Sequence, residues 1–290
     1  MTILPHEPLV LRPSDRFRLV CGEALAILHS LPDDSFDAVI TDPPYSSGGA
    51  TRGDRTAATG TKYVQTGVAD RRVDFAGDNR DGRSFAYWCA LWLGECLRVA
   101  RPGAPICIFS DWRQLPSVTD SIQAGGWVWR GIVPWDKTEA TRPQMGRFRA
   151  QAEYIVWGSK GPMDERLDVG VLPGVIREPV RKDEKHHQTG KPTRVMMQLA
   201  RICVPGGIIL DPFAGSGTTG IGALLTGRRF FGCEQVKEIH ADAWTRLEAC
   251  ERGVGLEEHK AGQEPLPGLD VAVETTDADD LLGDRKFLLA

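Results

Sequence analysis

The sequence has no apolar run near the roughly 18 residues a membrane helix requires, which argues against a membrane span. It has no CxxC pair. Most of its seven cysteines (Cys21, Cys89, Cys96, Cys107, Cys203, Cys233 and Cys250) sit in apolar surroundings. That pattern favours reduced thiols of a cytoplasmic protein over disulfides or a zinc site. The opening stretch MTILPHEPLVLRPSDRF lacks the basic region and apolar run of a secretion signal. Repeats and heptads are missing, which excludes solenoids and coiled coils. A net positive charge is missing too: the chain carries −4. The distribution qualifies that figure. Residues 253–290 hold nine acidic and three basic side chains, or −6, which leaves +2 on the rest. This Gly-, Pro- and acid-rich tail reads as a solvated, poorly ordered segment. Global charge therefore neither supports nor excludes a nucleic-acid partner.

What is present is ordinary in amount: 290 residues and 41% hydrophobic residues suit one globular domain with insertions, or a domain plus a tail. Strand and helix signals alternate, as in a parallel sheet covered by helices. Strands are expected at 37–41, 105–109, 128–135, 154–158, 207–210 and 229–233. Helices are expected at 83–100, 113–124, 193–203, 218–226 and 236–251. In the first helix Phe85, Trp88, Leu91, Trp92, Glu95, Cys96 and Val99 form a broad apolar face. Two segments break the rhythm. Residues 46–83 form a long insertion with almost no core signal, and such loops tend to be functional or disordered. The stretch TEATRPQMGRFRAQ at 138–151 gathers Arg142, Arg147 and Arg149 around Phe148.

Two motifs carry chemistry. The first is IILDPFAGSGTTG at 208–220, where Gly215, Gly217 and Gly220 satisfy GxGxxG between a strand and a helix. That pattern serves a tight turn, a close backbone approach to a ligand, and helix packing. Glu234, ending the next strand, is placed to bind ribose hydroxyls. Asp211 ahead of the glycines would repel a pyrophosphate, but suits a ligand with a positive centre. S-adenosylmethionine has a sulfonium, an ammonium and a ribose. The second motif is TDPPY at 41–45, at the end of a short apolar strand. Pro43 and Pro44 fix the backbone, so the Asp42 carboxylate and the Pro43 carbonyl are held as rigid acceptors beside the flat ring of Tyr45. Two acceptors and a ring suit the planar amine of a nucleobase. An adenine amine is a poor nucleophile, and acceptors on its N–H bonds favour the pyramidal nitrogen of an in-line attack on a sulfonium methyl. A base inside a duplex must first flip out.

TDPPY followed far downstream by DPFAGSGTTG resembles the amino-methyltransferases of DNA, in the motif order of their β class. HQTGKP at 187–192 is similar to that family's H-x-T-x-K-P segment, and WDK at 135–137 and AEYIVW at 152–157 are similar to its middle strands. CGE at 21–23 stands where the family usually has Gly-Asp, with Glu23 in place of Asp. The match runs over roughly residues 18–250.

The resemblance implies an α/β, Rossmann-like class I methyltransferase fold: a mostly parallel seven-stranded sheet with one reversed strand, circularly permuted. It implies a catalytic domain over 1–252 with a short target-recognition segment at 159–186. It assigns Asp42, Pro43, Pro44 and Tyr45 to catalysis, and S-adenosylmethionine to Asp211, Phe213, Gly215, Ser216, Gly217, Thr218 and Glu234, with Glu23, His187, Thr189 and Lys191. The target it implies is N6 of adenine in DNA. N4 of cytosine, or a non-catalytic DNA-binding regulator of the same fold, are the alternatives. Lys62, Arg71, Arg72, Arg142, Arg147 and Arg149 are candidate phosphate contacts, with a plain solvated basic face as the alternative. Trp112 and Arg113, just past a strand end, could line the site, although Trp is more often core and Trp112 is read so. His186 and His187 point apart and make no metal pair, and no metal is expected. Compact enzymes of this kind resemble orphan methyltransferases of phages and prophages, in the cytoplasm of a bacterium or an infected host. Relatives often dimerise, but no seam is readable, and a cognate restriction nuclease is not inferable.

Overall fold

Short apolar runs become the middle of one sheet. The computed structural model describes residues 11–45, 81–141, 143, 145–163, 169–180 and 191–254. In chain order the elements are β1 (Phe17–Cys21), α1 (Ala24–Ser30), β2 (Ala38–Thr41), α2 (Gly82–Val99), β3 (Pro105–Ser110), α3 (Leu115–Ala124), β4 (Val128–Asp136), β5 (Ala152–Ser159), β6 (Ile176–Arg177), α4 (Thr193–Ala200), β7 (Ile208–Asp211), α5 (Thr218–Leu225), β8 (Arg229–Glu234) and α6 (Lys237–Arg252). No described helix is long and apolar enough to cross a membrane.

The sheet order is β1-β8-β7-β2-β3-β5-β4-β6. Strand β5 runs antiparallel to both β3 and β4, and the other pairings are parallel. The single reversed strand is as expected, but among the described residues the sheet has eight strands, not seven. The eighth, β6, is two residues long, too short to leave a periodic signal. It is held to the edge by the Trp135 Nε1, which donates to the Glu178 carbonyl at 2.8 Å, and by the Glu178 N–H to the Asp136 carbonyl at 3.0 Å.

Strands β2, β3 and β7 are buried throughout, and their side chains divide by period two between the faces. Val39, Ile106, Ile108 and Leu210 pack with Leu28 of α1, Phe85 and Trp92 of α2, and Ile122 of α3. Ile40, Cys107, Phe109 and Ile209 pack with Met196 of α4, Leu224 of α5 and Leu247 of α6. Each large apolar side chain buried this way contributes about 1.5–3 kcal/mol. Helix α2 starts where Asp81 accepts from the N–H groups of Arg83 and Ser84. Its stripe is Phe85, Cys89, Trp92, Leu93, Cys96 and Val99, while Leu91, expected on that face, is exposed. All seven cysteines are free thiols, and only Cys21 is exposed.

From the β7–β2 pair the chain builds outward in both directions: β3 lies beyond β2, while β8 and β1 lie beyond β7. Open α/β sheets bind ligands at the carboxyl ends of strands where the order reverses in this way. Both motifs of the sequence end there, since Ala38 pairs with Ile209 and Val39 with Leu210.

Candidate active site

The corner after β2 is tied to the loop after β7 by one buried bond. Thr41 Oγ1 donates to Asp211 Oδ1 at 2.7 Å, and the same oxygen accepts from the Phe213 N–H at 3.0 Å. Asp211 was expected to face a cationic ligand. It is 1% exposed instead, and its carboxylate holds the two corners together. The reason lies in the register, which sets the last residues of β2 and β7 side by side. Burial pushes its pKa up to about 6, against the hydrogen bonds from Thr41, Thr219 and the Phe213 N–H.

This has a consequence for stability. A folded pKa above the unfolded value means the native state binds more protons, so this group's contribution falls as pH rises from about 4 to 6. The difference is worth about 3 kcal/mol at most. Asp211→Asn keeps an acceptor for Thr41 and removes the titration. Its Tm relative to wild type is expected to improve between pH 4 and pH 7, and a pH-independent difference would contradict this.

The glycine loop is built from its neighbours. The Gly215 N–H donates to Glu234 Oε2 at 3.1 Å, and the Val236 N–H to Glu234 Oε1 at 2.8 Å. Glu234 thus latches the loop from the end of β8, and burial raises its pKa. Gly215 has φ +50° and a side open to within 4.0 Å of the Phe213 carbonyl, which leaves room for a ligand. Gly217 caps α5 at φ +79°, and a Cβ there would meet Ala243 of α6 at 3.3 Å. Ser216 Oγ lies 3.3 Å from Thr218 Oγ1, and the Arg246 guanidinium donates to the Ser216 carbonyl. Phe213 packs on Trp88 and Trp92. Glu23 caps α1 through the Ala26 N–H at 2.9 Å, at the end of the strand beside β8.

The acceptor corner is polar and crowded. The Tyr45 hydroxyl donates to Asp42 Oδ1. Lys191 Nζ donates to Asp42 Oδ2 at 2.5 Å and lies 3.3 Å from the Tyr45 oxygen. It also sits over the rings of Tyr45 and Phe109, at 5.3 and 5.1 Å. Lys191 was expected at the cofactor's end of the site; the structure places it on the Asp42 carboxylate, because it lies just ahead of Pro192 and α4, which packs on the same face as Phe109. Behind it stands Glu153 of β5, whose Oε1 accepts from Lys137 Nζ of the β4 end at 3.1 Å and whose Oε2 is 3.5 Å from Lys191 Nζ. Burial raises the pKa of Asp42, and Lys191 only partly offsets it. Burial and the Asp42 charge raise that of Tyr45 well above its usual value. Burial works against the Lys191 ammonium, but Asp42 and Glu153 outweigh it and leave its pKa raised.

Trp112 is 61% exposed and not in the core. Asp111 accepts from the N–H groups of Arg113 and Gln114, and that turn faces the indole outward, with the Arg113 guanidinium 4.8 Å from its centre. In the loop from β4 to β5, Phe148 is fully exposed and Arg147 is exposed. Arg149 spends donors on the Glu139 and Thr141 carbonyls of its own loop. Lys62, Arg71, Arg72, Arg142, His186, His187 and Thr189, most of the 46–83 insertion and residues 255–290 lie outside the described residues. Glu153, Lys137, Thr41 and Arg246 were assigned no role from sequence. The signals were the presence of Thr41 in TDPPY and of Lys137 and Glu153 inside the WDK and AEYIVW stretches.

Comparison with known proteins agrees with this geometry. The chain is 28% identical over 250 residues to the type II methyltransferase M2.DpnII of Streptococcus pneumoniae, covering 80% of this chain and 89% of that protein. The solved complex of M1.HpyAVI with SAM is 22% identical with a TM-score of 0.57, over 80% of this chain and 98% of that one. The cytosine-N4-specific PvuII DNA methyltransferase is 15% identical with a TM-score of 0.60, over 85% of this chain and 91% of the other. The model of the DNA methylase family matches residues 36–169 and 172–244. With its DPPY corner and glycine loop joined on adjacent strands, the chain belongs to the DNA methylase family.

Proposed function

We propose that the protein transfers the methyl group of S-adenosylmethionine to the exocyclic N6 amine of adenine in DNA, on a base flipped out of the duplex. The observation that carries this is the pairing of the two corners: Asp42 and the glycine loop end neighbouring strands and share the Thr41–Asp211 bond. The residues present fit the cofactor. Gly215 leaves one side open, and Glu234 presents a carboxylate beside it with lone pairs left for ribose hydroxyls. Asp211, Phe213, Ser216, Gly217 and Thr218 shape the loop, and Glu23 stands at the adjacent strand end. When bound, S-adenosylmethionine supplies a methyl carbon on a cationic sulfur.

The chain's own residues then do three things. The Pro43 carbonyl and Asp42 accept the amine's two N–H bonds, which concentrates its lone pair toward the methyl carbon. The Tyr45 ring stacks on the base. Asp42 stabilises the positive charge that develops on the nitrogen, whose extra proton then leaves readily. No strong base is required. Asp42, Tyr45, Gly215, Gly217 and Glu234 are all present, which disfavours a non-catalytic DNA-binding regulator.

In the same reading, Arg147, Phe148, Trp112 and Arg113 face DNA. The loop bearing Arg147 and Phe148 leaves the carboxyl end of β4, the sheet edge that also carries the corner. Residues 159–186 would read the target sequence, and the 46–83 insertion would add backbone contacts. The catalytic strand preceding the cofactor strand in the chain is what a circular permutation of the methyltransferase sheet predicts. N4 of cytosine is the second reading, favoured by the fold likeness to PvuII methyltransferase.

The test is transfer of isotope-labelled methyl from S-adenosylmethionine to unmethylated DNA, RNA or protein supplied separately. Label in DNA alone is expected. Label in RNA or protein, with none in DNA, would refute the proposal.

A further inference from the structure

The acceptor corner is closed on itself. Both Asp42 oxygens are engaged, Oδ1 by the Tyr45 hydroxyl and Oδ2 by the Lys191 ammonium at 2.5 Å. On the proposed reading, an amine must donate to Asp42 and become positive as its bond to carbon forms. An ammonium held against the same carboxylate opposes that charge and takes up the acceptor. Lys191 must therefore have somewhere else to place its charge, because it is only 10% exposed and water cannot replace Asp42 around it.

Glu153 offers that place. Its Oε1 is taken by Lys137, but its Oε2 is buried without a hydrogen bond and lies 3.5 Å from Lys191 Nζ. A closure of about 0.7 Å would make a full charge-assisted bond. The move exchanges one carboxylate for another around an ammonium that hardly travels. Asp42, Glu153, Lys137 and Lys191 form a neutral set, so no net charge is buried or exposed by the exchange.

We infer that Glu153 is a positioning residue that draws the Lys191 ammonium off Asp42 as the target amine enters, and so sets how fully Asp42 can accept it. This rests on the methyl-transfer reading above. In this inference Glu153 acts through Lys191.

The experiment is a kinetic cycle with methyl-labelled S-adenosylmethionine and unmethylated DNA: wild type, Glu153→Gln, Lys191→Gln and the double variant. Wild-type transfer comes first, and its absence would remove the methyl-transfer reading and this inference with it. Given wild-type transfer, Glu153→Gln is expected to lower kcat about tenfold or more, with KM for the cofactor within about twofold. Among the described residues the groups facing Asp42 are Lys191, Tyr45, Glu153 and Asp211, with Lys137 and Asp111 behind them. Glu153 raises the Asp42 pKa, so its loss should move the acid limb of the kcat profile to lower pH. In the Lys191→Gln background the Glu153 change should add little. Wild-type kcat with an unmoved acid limb in Glu153→Gln, or losses that simply multiply in the double variant, would overturn the inference. Thermal melts accompany each variant, and if Glu153→Gln does not fold, Glu153→Asp takes its place. Its shorter carboxylate should lower kcat while leaving the acid limb near wild type, and an unchanged kcat would overturn the inference equally.

Discussion

Asp42→Ala is expected to lower the rate of methyl transfer by about 10³-fold while leaving cofactor affinity within about threefold. On the proposed mechanism the side chain contributes the acceptor that orients the amine and the charge that stabilises the developing cation. Neither can come from Tyr45, whose hydroxyl is itself bonded to Asp42. Lys191 would lose its closest partner and turn to Glu153, already 3.5 Å away, which limits the structural damage. Asp42→Asn separates shape from charge: it retains the bulk and should still lose most of the rate. Because burial raises the Asp42 pKa, activity in the wild type should fall on acidification at a higher pH than an exposed Asp carboxylate would give. Rates by scintillation counting and cofactor affinity by calorimetry check the split. Near-normal turnover in Asp42→Ala would remove the corner from the mechanism.

Gly217→Val is expected to damage the glycine loop through backbone strain and packing. A residue with a branched Cβ at φ +79° is strained by about 1–3 kcal/mol. Its Cβ would press on Ala243 at 3.3 Å, with the Ala243 carbonyl and Leu247 close behind, adding about 1–3 kcal/mol of overpacking. For a domain of this size the sum lowers Tm by about 5–15 °C. Cofactor binding should fall with it, since Gly217 begins α5 and sets the course of Gly215. Calorimetric melting and cofactor titration measure both losses. A Tm unchanged within about 2 °C would show that α6 yields at this contact.

The contrast between the two motifs and their surroundings explains what the sequence could reveal. The strands of the sheet centre were legible because both faces are covered, so β2, β3 and β7 read as unbroken apolar runs. The edge was harder. β1 is half-buried and followed by the seven-residue α1, and β6 has two residues, none of which leaves a clear period. The DPPY corner and the glycine loop were legible because each is rigid locally, through proline and glycine. The wiring between them was not. Lys191 reaches Asp42 across 149 positions and Thr41 reaches Asp211 across 170, and no spacing rule links such pairs. Asp211 read as a ligand contact because its neighbours on β2 were unknown. Trp112 read as core on residue type alone, whereas the Asp111 turn decides where it faces.

The measurement that bears most directly on the whole account identifies the methylated nucleoside. Purified protein is incubated with isotope-labelled S-adenosylmethionine and unmethylated DNA, the DNA is digested to nucleosides, and the labelled one is identified by mass spectrometry. The account predicts label on N6-methyladenine. Label on N4-methylcytosine would keep the corner chemistry and contradict the assigned base, and no label with cofactor bound would contradict the catalytic reading itself.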